Sequence, residues 1–247
     1  MILAVDTGNT RTKWAIFARD GKLQTAGICL NADLDGFEIP VAWQSCSHAI
    51  AANVAGDVIA KKLDALLVKA RIPFAWAQAK AMSCGLKNHY ELPQQLGVDR
   101  WASMVAAYKR YANQPACLVV NVGTALTVDS LYQDAFLGGL IVPGLNMMQN
   151  ALVQHTDAVN SMYGQRQDLP RNTADASYSG VIMAMVGAIV MQADQLESRC
   201  QDVPSIVMTG GDAELLLPIL TPIFGVKPVF VESLVLEGLY LMGSETA

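Results

Sequence analysis

Apolar positions run along this chain in short blocks of two periods. Ile2 to Asp6 is a continuous apolar run ending on an acid, and predicts a buried strand. Lys13 to Arg19 alternates and predicts a second strand, with Asp6-Thr7-Gly8-Asn9-Thr10 as the turn between them. Asp20-Gly21 is a hairpin signal, and Lys22 to Leu30 follows as a third strand. Three consecutive antiparallel strands therefore open the chain. His48 to Ala52 and Pro73 to Ala77 read as further strands. Between them Ala55 to Ala70 has helical spacing, with Val58, Ile59, Leu63, Leu66 and Leu67 in step. Asp99 to Tyr111 predicts a helix, with Asp99 as N-cap and Trp101, Met104, Val105 and Tyr108 along one side.

The pattern restarts near Gln114-Pro115. Strands are predicted over Cys117 to Val120, Leu126 to Leu131 and Phe136 to Val142. Leu3-Ala4-Val5-Asp6-Thr7-Gly8-Asn9-Thr10 and Leu118-Val119-Val120-Asn121-Val122-Gly123-Thr124 follow one scheme. Each is a strand, then Asp or Asn, one residue, Gly, and a Thr before the next strand. Both begin a run of three strands, which predicts an internal duplication, with domains at residues 1–114 and 115–247. Helices follow at Ala174 to Glu197, Asp212 to Leu220 and Leu234 to Met242, with short strands at Ser205 to Met208 and Pro228 to Val231. Leu137-Gly138-Gly139 to Pro143-Gly144 ends a strand with a kink into a helix. The stretch Val181 to Met191 carries no charge and is apolar all round. That predicts burial on every side, and its Met, Ala and Gly content also suits a subunit contact.

Composition narrows the partners. Of 247 residues, 52% are hydrophobic and 16% charged, against about 25% charged in ordinary soluble chains. Disorder needs the opposite balance. A formal net charge of −5 without a basic run disfavours a nucleic-acid partner. The longest uncharged stretch, Ala135 to Thr156, is broken by Gly, Pro and Asn, so no membrane span is expected there. Five scattered cysteines and an N-terminus without a signal pattern predict a reduced, cytoplasmic protein.

A Gly-containing turn between strands can wrap phosphates with its backbone N–H groups and Thr or Asn side chains, while an acid at the strand end holds Mg²⁺. Asp6 through Thr10, with Lys13 just beyond, fits that role. A polar hairpin turn is the plainer alternative. The second copy at Gly123-Thr124 favours phosphates, because two such turns make a clamp. Thr209-Gly210-Gly211-Asp212 links a strand to a helix, where adjacent glycines allow close approach of a flat ligand. A tight turn capped by Asp212 is equally open. Gly97-Val98-Asp99-Arg100 gives either a capped helix start with a surface Arg, or a general base with an anion clamp.

Taken together, Asp6-Thr7-Gly8-Asn9-Thr10, Gly97-Val98-Asp99-Arg100, Gly123-Thr124-Ala125, Gly138-Gly139 to Pro143-Gly144, Asn172-Thr173 and Thr209-Gly210-Gly211-Asp212 resemble the type III pantothenate kinases in order and spacing. The resemblance implies an α/β fold of two duplicated actin-like (ribonuclease-H-like) domains, each a mixed five-stranded sheet with flanking helices, around a nucleotide cleft. It implies ATP-dependent phosphorylation of pantothenate, the first step towards coenzyme A. Alternatives within the same fold are a non-catalytic ATP-binding regulatory dimer, or a kinase of another small hydroxyl substrate. By the same resemblance Asp6, Thr7, Gly8, Asn9, Thr10, Arg11, Thr12 and Lys13 form the first phosphate loop, with Asp6 next to Mg²⁺. Gly123 and Thr124 form the second, and Gly210 and Gly211 lie near the nucleoside. Asp99 is the proton acceptor, and Tyr90, Gly97, Val98 and Arg100 line the pantothenate site. Thr173 joins them from the partner of a homodimer. Family members usually carry Asp where this chain has Asn121, and that Asp is associated with K⁺ or NH₄⁺. Asn keeps an oxygen ligand but loses the charge, which weakens the expectation of a monovalent cation.

Overall fold

The structure is a computed structural model that describes residues 1–111, 114–156 and 163–245. In chain order it opens with strands β1 (Ile2–Thr7), β2 (Arg11–Phe17) and β3 (Leu23–Leu30), then β4 (His48–Asn53). Helix α1 (Asp57–Lys69) leads to β5 (Phe74–Trp76), and a two-strand ribbon follows, β6 (Met82–Ser83) and β7 (Leu86–Asn88). Helix α2 (Val98–Arg110) precedes β8 (Ala116–Val122), β9 (Ala125–Tyr132) and β10 (Ala135–Pro143). Then come α3 (Leu145–His155), α4 (Thr173–Cys200), β11 (Ser205–Thr209), α5 (Ala213–Phe224), β12 (Val229–Phe230) and α6 (Leu234–Glu245).

Contacts divide the chain into two units. The first comprises Met1–Ala112, Asp134–Phe136 and Ser233–Ala247; the second comprises Asn113–Gln133 and Leu137–Glu232. The expected division at 114/115 left the last helix with the second half. Helix α6 belongs instead to the first unit, because it packs on α2, β1 and β4. Contact with α2 is at backbone distance: a Cβ on Gly238 would sit 1.8 Å from the Ala102 carbonyl oxygen. Tyr240 completes the seam, stacking on Phe17 at 4.9 Å and donating to the Arg19 carbonyl at 3.0 Å.

The first unit's sheet has the order β3-β2-β1-β4-β5. β1 is antiparallel to β2 and parallel to β4, and it is buried on both faces. Leu3 and Val5 face a core with Trp14, Trp43 and the α1 residues Leu63, Leu66 and Leu67. The alternate positions of β1, Ala4 and Asp6, therefore point to the opposite face.

The second sheet has seven strands rather than the five expected, in the order β12-β11-β8-β9-β10-β7-β6, and the run β12-β11-β8-β9-β10 repeats this topology. β8 is antiparallel to β9 and parallel to β11, as β1 is to β2 and β4. Asn121 takes the place of Asp6: each lies one residue before the end of its central strand. The duplication legible in the sequence is thus a duplication of strand order. Ala135 and Phe136, the first residues of β10, pair in parallel with β7 inside the first unit.

Three expectations need correction. Asp99 is not the N-cap of its helix; Gly97 is, and Asp99 stands in the first turn. Asp212 holds the N-cap position of α5 but makes no side-chain capping bond. Helix α4 is not buried all round. Val181, Ile182, Met185, Val186 and Ile189 enter the core, while Gly180, Met183, Ala184 and Met191 are exposed. By length and composition α4 could cross a membrane, a test the uncharged stretch at 135–156 did not address. Its buried side packs against the unit's own sheet, with Leu118, Val120, Leu126 and Val128.

Candidate active site

In the first unit the chemistry collects at the β1–β2 turn and the start of α2. Gly8 N–H donates to the Arg11 carbonyl at 3.1 Å and closes the turn. Asn9, Thr10 and Arg11 are exposed at its tip. Beneath the tip the turn rests on buried hydroxyls, Thr7 and Thr12. Asp6 sits at the strand end opposite Lys13, its register partner on β2.

The Asp6 carboxyl is the most perturbed group of this turn. Its Oδ1 is buried without a hydrogen-bond partner. Burial pushes its pKa up to about 7, the Asp99 charge adds to the rise, and Lys13 opposes it. A buried carboxylate oxygen without a donor is costly unless a cation completes it. The arrangement fits Mg²⁺, which takes one or two carboxylates and leaves its other positions to water and substrate phosphates. No group of three His, Cys, Asp or Glu side chains with metal-holding geometry occurs among the described residues.

Asp99 stands in the first turn of α2, where helix N–H groups lack intrahelical partners. Its Oδ1 accepts from the Arg100 N–H at 2.8 Å, and its carbonyl accepts from Ser103 Oγ at 3.0 Å. Gly97 makes this possible, since a Cβ there would lie 2.7 Å from Asp99 Oδ1. Arg100 is no surface charge: it is 5% exposed, and its Nη1 donates to the Tyr90 hydroxyl at 3.2 Å. The Tyr90 ring stacks on Phe136 at 5.3 Å. Asn88, also buried, accepts from the Tyr90 N–H at 3.0 Å and so fixes the loop that carries the ring. The sequence pointed to Tyr90 and Arg100, which the structure brings into contact, and not to Asn88 and Phe136 beside them. The only signal for Asn88 was its spacing of two residues from Tyr90, the geometry of an Asx turn.

In the second unit Gly123 and Thr124 form the β8–β9 turn, with Thr124 exposed. The Gly144 N–H donates to the Thr124 carbonyl at 3.0 Å, which joins the Pro143-Gly144 kink to this turn. The two adjacent glycines after β11 have different surroundings. Gly210, at φ +102°, packs on the chain itself: a Cβ would lie 2.3 Å from the Val122 carbonyl oxygen and 2.7 Å from Asn121 Oδ1. Gly211 has nothing within 4 Å of its Cβ position. Thr173 is exposed at the first residue of α4, where the Asn172 side chain caps the helix by accepting from the Asp175 N–H. Asp6, Lys13, Tyr90, Gly97, Val98, Asp99 and Arg100 thus belong to the first unit, and Asn121, Gly123, Thr124, Thr173, Gly210 and Gly211 to the second.

Comparison with known proteins adds the context for this geometry. Residues 2–195 match the model of the type III pantothenate kinase family. Type III pantothenate kinase of Methylobacillus flagellatus is 41% identical over 98% of this chain and 97% of its own. That of Thiobacillus denitrificans is 42% identical over 96% and 94%. Among solved structures, a 2-dehydro-3-deoxygalactonokinase protein from Sinorhizobium meliloti superposes with a TM-score of 0.61 at 13% identity, covering 100% of this chain and 99% of that one. Component A of the Acidaminococcus fermentans (R)-2-hydroxyglutaryl-CoA dehydratase gives 0.55 at 12% identity, covering 100% and 99%. These two likenesses concern the fold, and they agree with duplicated actin-like units. On the family match and the full-length relatives, the chain belongs to the type III pantothenate kinases.

Proposed function

We infer that the chain transfers the γ-phosphoryl group of ATP to the terminal hydroxyl of pantothenate, as its family does. The observation that carries the assignment of residues is the pairing of Asp6 and Asp99. One is a buried carboxylate with an orphaned oxygen, and the other is held by its own helix start close enough to raise the first.

In this reading the amides and side chains of residues 6–13 are the phosphate-binding turn of the first unit, and Gly123 and Thr124 are that of the second. Asp6 holds Mg²⁺, directly or through water, and the cation supplies neutralisation of phosphate charge when bound. Tyr90, Gly97, Val98 and Arg100 orient pantothenate, the guanidinium serving polar groups of the substrate. Asp99 accepts the hydroxyl proton as the oxygen attacks the γ-phosphorus. The bond from that phosphorus to the β-phosphate oxygen breaks, and ADP leaves with the electron pair. Gly210 and Gly211 lie near the nucleoside. Asn121, with an oxygen but no charge, makes a weak monovalent-cation ligand.

A homodimer through the exposed apolar face of α4 completes the reading, with Thr173 serving the partner's pantothenate site. Gly180, Met183, Ala184 and Met191 support it, since such a stripe suits close helix contact. Five free cysteines suit the reducing cytoplasm.

The test is ADP release from ATP and Mg²⁺ with and without pantothenate, run with and without K⁺. Asp99→Asn should leave ATP binding intact and lower turnover roughly 10²-fold or more, the usual scale for loss of a general base. Undiminished turnover in that variant would remove Asp99 from the mechanism. ADP release that ignores pantothenate would remove the substrate.

A further inference from the structure

Asn31 lies outside every motif discussed so far, yet its side chain is spent on the first phosphate turn. It opens the short 3-10 turn Asn31–Gly36 that follows β3, and it is only 7% exposed. Its Nδ2 donates to the Gly8 carbonyl at 2.7 Å. Its Oδ1 accepts from the Thr12 hydroxyl at 2.8 Å. Its backbone N–H donates to the Thr10 carbonyl at 3.1 Å. Three groups of one residue thus reach residues 8, 10 and 12, about 20 positions back in the chain. Thr12 and Thr7 hydroxyls lie 3.4 Å apart. A hydroxyl has one hydrogen, and Thr12 gives it to Asn31, so the Thr7 hydroxyl is left to donate to Thr12.

We propose that Asn31 is the positioning residue of the phosphate turn, fixing its shape for the phosphate chain of ATP; this rests on residues 6–13 holding those phosphates. An amide side chain suits the place, since it donates to a carbonyl on one side and accepts from a hydroxyl on the other. With both carbonyls and the Thr12 hydroxyl tied down, the Asn9 and Thr10 amides are left at the exposed tip. Among the described residues, no hydrogen bond within the protein uses either N–H. A turn set in advance binds a flexible anion without the entropy loss of ordering itself.

The experiment measures equilibrium binding of AMP, ADP and ATP to the full chain, with wild type, Asn31→Ala and Lys13→Ala compared. Asn31→Ala is expected to weaken ATP about tenfold, the scale of one or two hydrogen bonds. ADP should weaken less, and AMP and the KM for pantothenate should stay within about twofold of wild type, since they do not depend on the turn's grip. Should that variant fail to fold, Asn31→Asp keeps the volume and the Thr12 bond. It sets a carboxylate oxygen against the Gly8 carbonyl, and the same phosphate-graded loss is expected. Equal weakening of AMP and ATP would mean a general structural fault and would overturn the proposal. So would an unchanged ATP affinity beside a weakened Lys13→Ala. If Lys13→Ala and Asn31→Ala both leave ATP unchanged, the turn is not a phosphate site, and the underlying reading falls with the proposal.

Discussion

Gly210→Ala should damage the second unit, and its neighbour Gly211→Ala should not. At Gly210 two effects add. The residue holds φ +102°, which a side chain tolerates at a cost of about 1–2 kcal/mol. The new Cβ would also lie 2.3 Å from the Val122 carbonyl oxygen, where ordinary contact begins at 3.4 Å. The shortfall, 3.4 − 2.3, is about 1.1 Å. It must be met by moving backbone, because the obstacle is the end of β8 and no flexible side chain can give way. Overpacking of that kind costs about 1–3 kcal/mol. Together they take roughly 2–5 kcal/mol from a domain whose whole stability is typically about 5–15. Thermal unfolding of this size of chain shifts about 2–4 °C per kcal/mol, so Tm should fall by roughly 4–20 °C. The displaced residue leads directly into Gly123-Thr124, so the KM for ATP should rise in the same variant. Gly211 has open space, and Ala there should move stability by no more than about 0.5 kcal/mol. If Gly211 lies against the nucleoside, Gly211→Ala raises the KM for ATP without lowering Tm. Equal melting temperatures for the two variants would refute the argument from close approach.

Further expectations follow from other parts of the molecule. The N–H of Gln165 and the amide of Asn172 hold the Asp175 carboxyl below its usual range, so its contribution to stability is complete above the unfolded value of about 3.9 and fades as pH falls through the lower folded one. Asp175→Asn should therefore melt lower than wild type at pH 7, with the gap closing in acid; a gap constant from pH 7 to pH 2 would contradict this. Burial pushes the thiols of Cys84 and Cys117 up to about 11, helped at Cys84 by Glu245. At pH 8 only about a thousandth of either is thiolate, so mass spectrometry should find both alkylated far more slowly than a free thiol. Met183→Asp, in the exposed stripe of α4, should shift sedimentation from dimer to monomer; a wild-type monomer at micromolar concentration would dispose of that interface.

What the sequence disclosed and what it hid divide by distance along the chain. The β1–β2 turn was legible because Gly8, Asn9 and the flanking threonines are local turn chemistry. The duplication was legible because Asn121 and Gly123 repeat the spacing of Asp6 and Gly8, and strand order then repeats with them. The first turn of α2 was half legible. Asp is favoured both at a cap and just inside it, so composition did not reveal that Gly97 takes the cap and leaves Asp99 to bond the Arg100 N–H. Helix α4 misled because an apolar helix without a charged stripe carries no mark of which side meets the core. Asn31 was invisible for another reason. A single polar residue after a strand has no periodicity, and its partners lie 19 and 23 residues away. Nor does any local pattern announce that Gly238 is small to admit the Ala102 backbone.

The placement of α6 bears on how the protein is made. Strand β1 leaves the ribosome well before the helix that covers it, which spans Leu234–Glu245. Between the end of α2 at Arg110 and the start of α6 lie 123 residues (233 − 110), which occupy roughly 6–25 s of synthesis at about 5–20 residues per second. Throughout that interval the Ala102 side of α2 lacks its cover, and so does the side of β1 that α6 packs on. The first unit is therefore completed only after the segments of the second unit have been made. A nascent chain of this protein thus leaves the α6-facing side of its first sheet uncovered until the residues of α6 have been made.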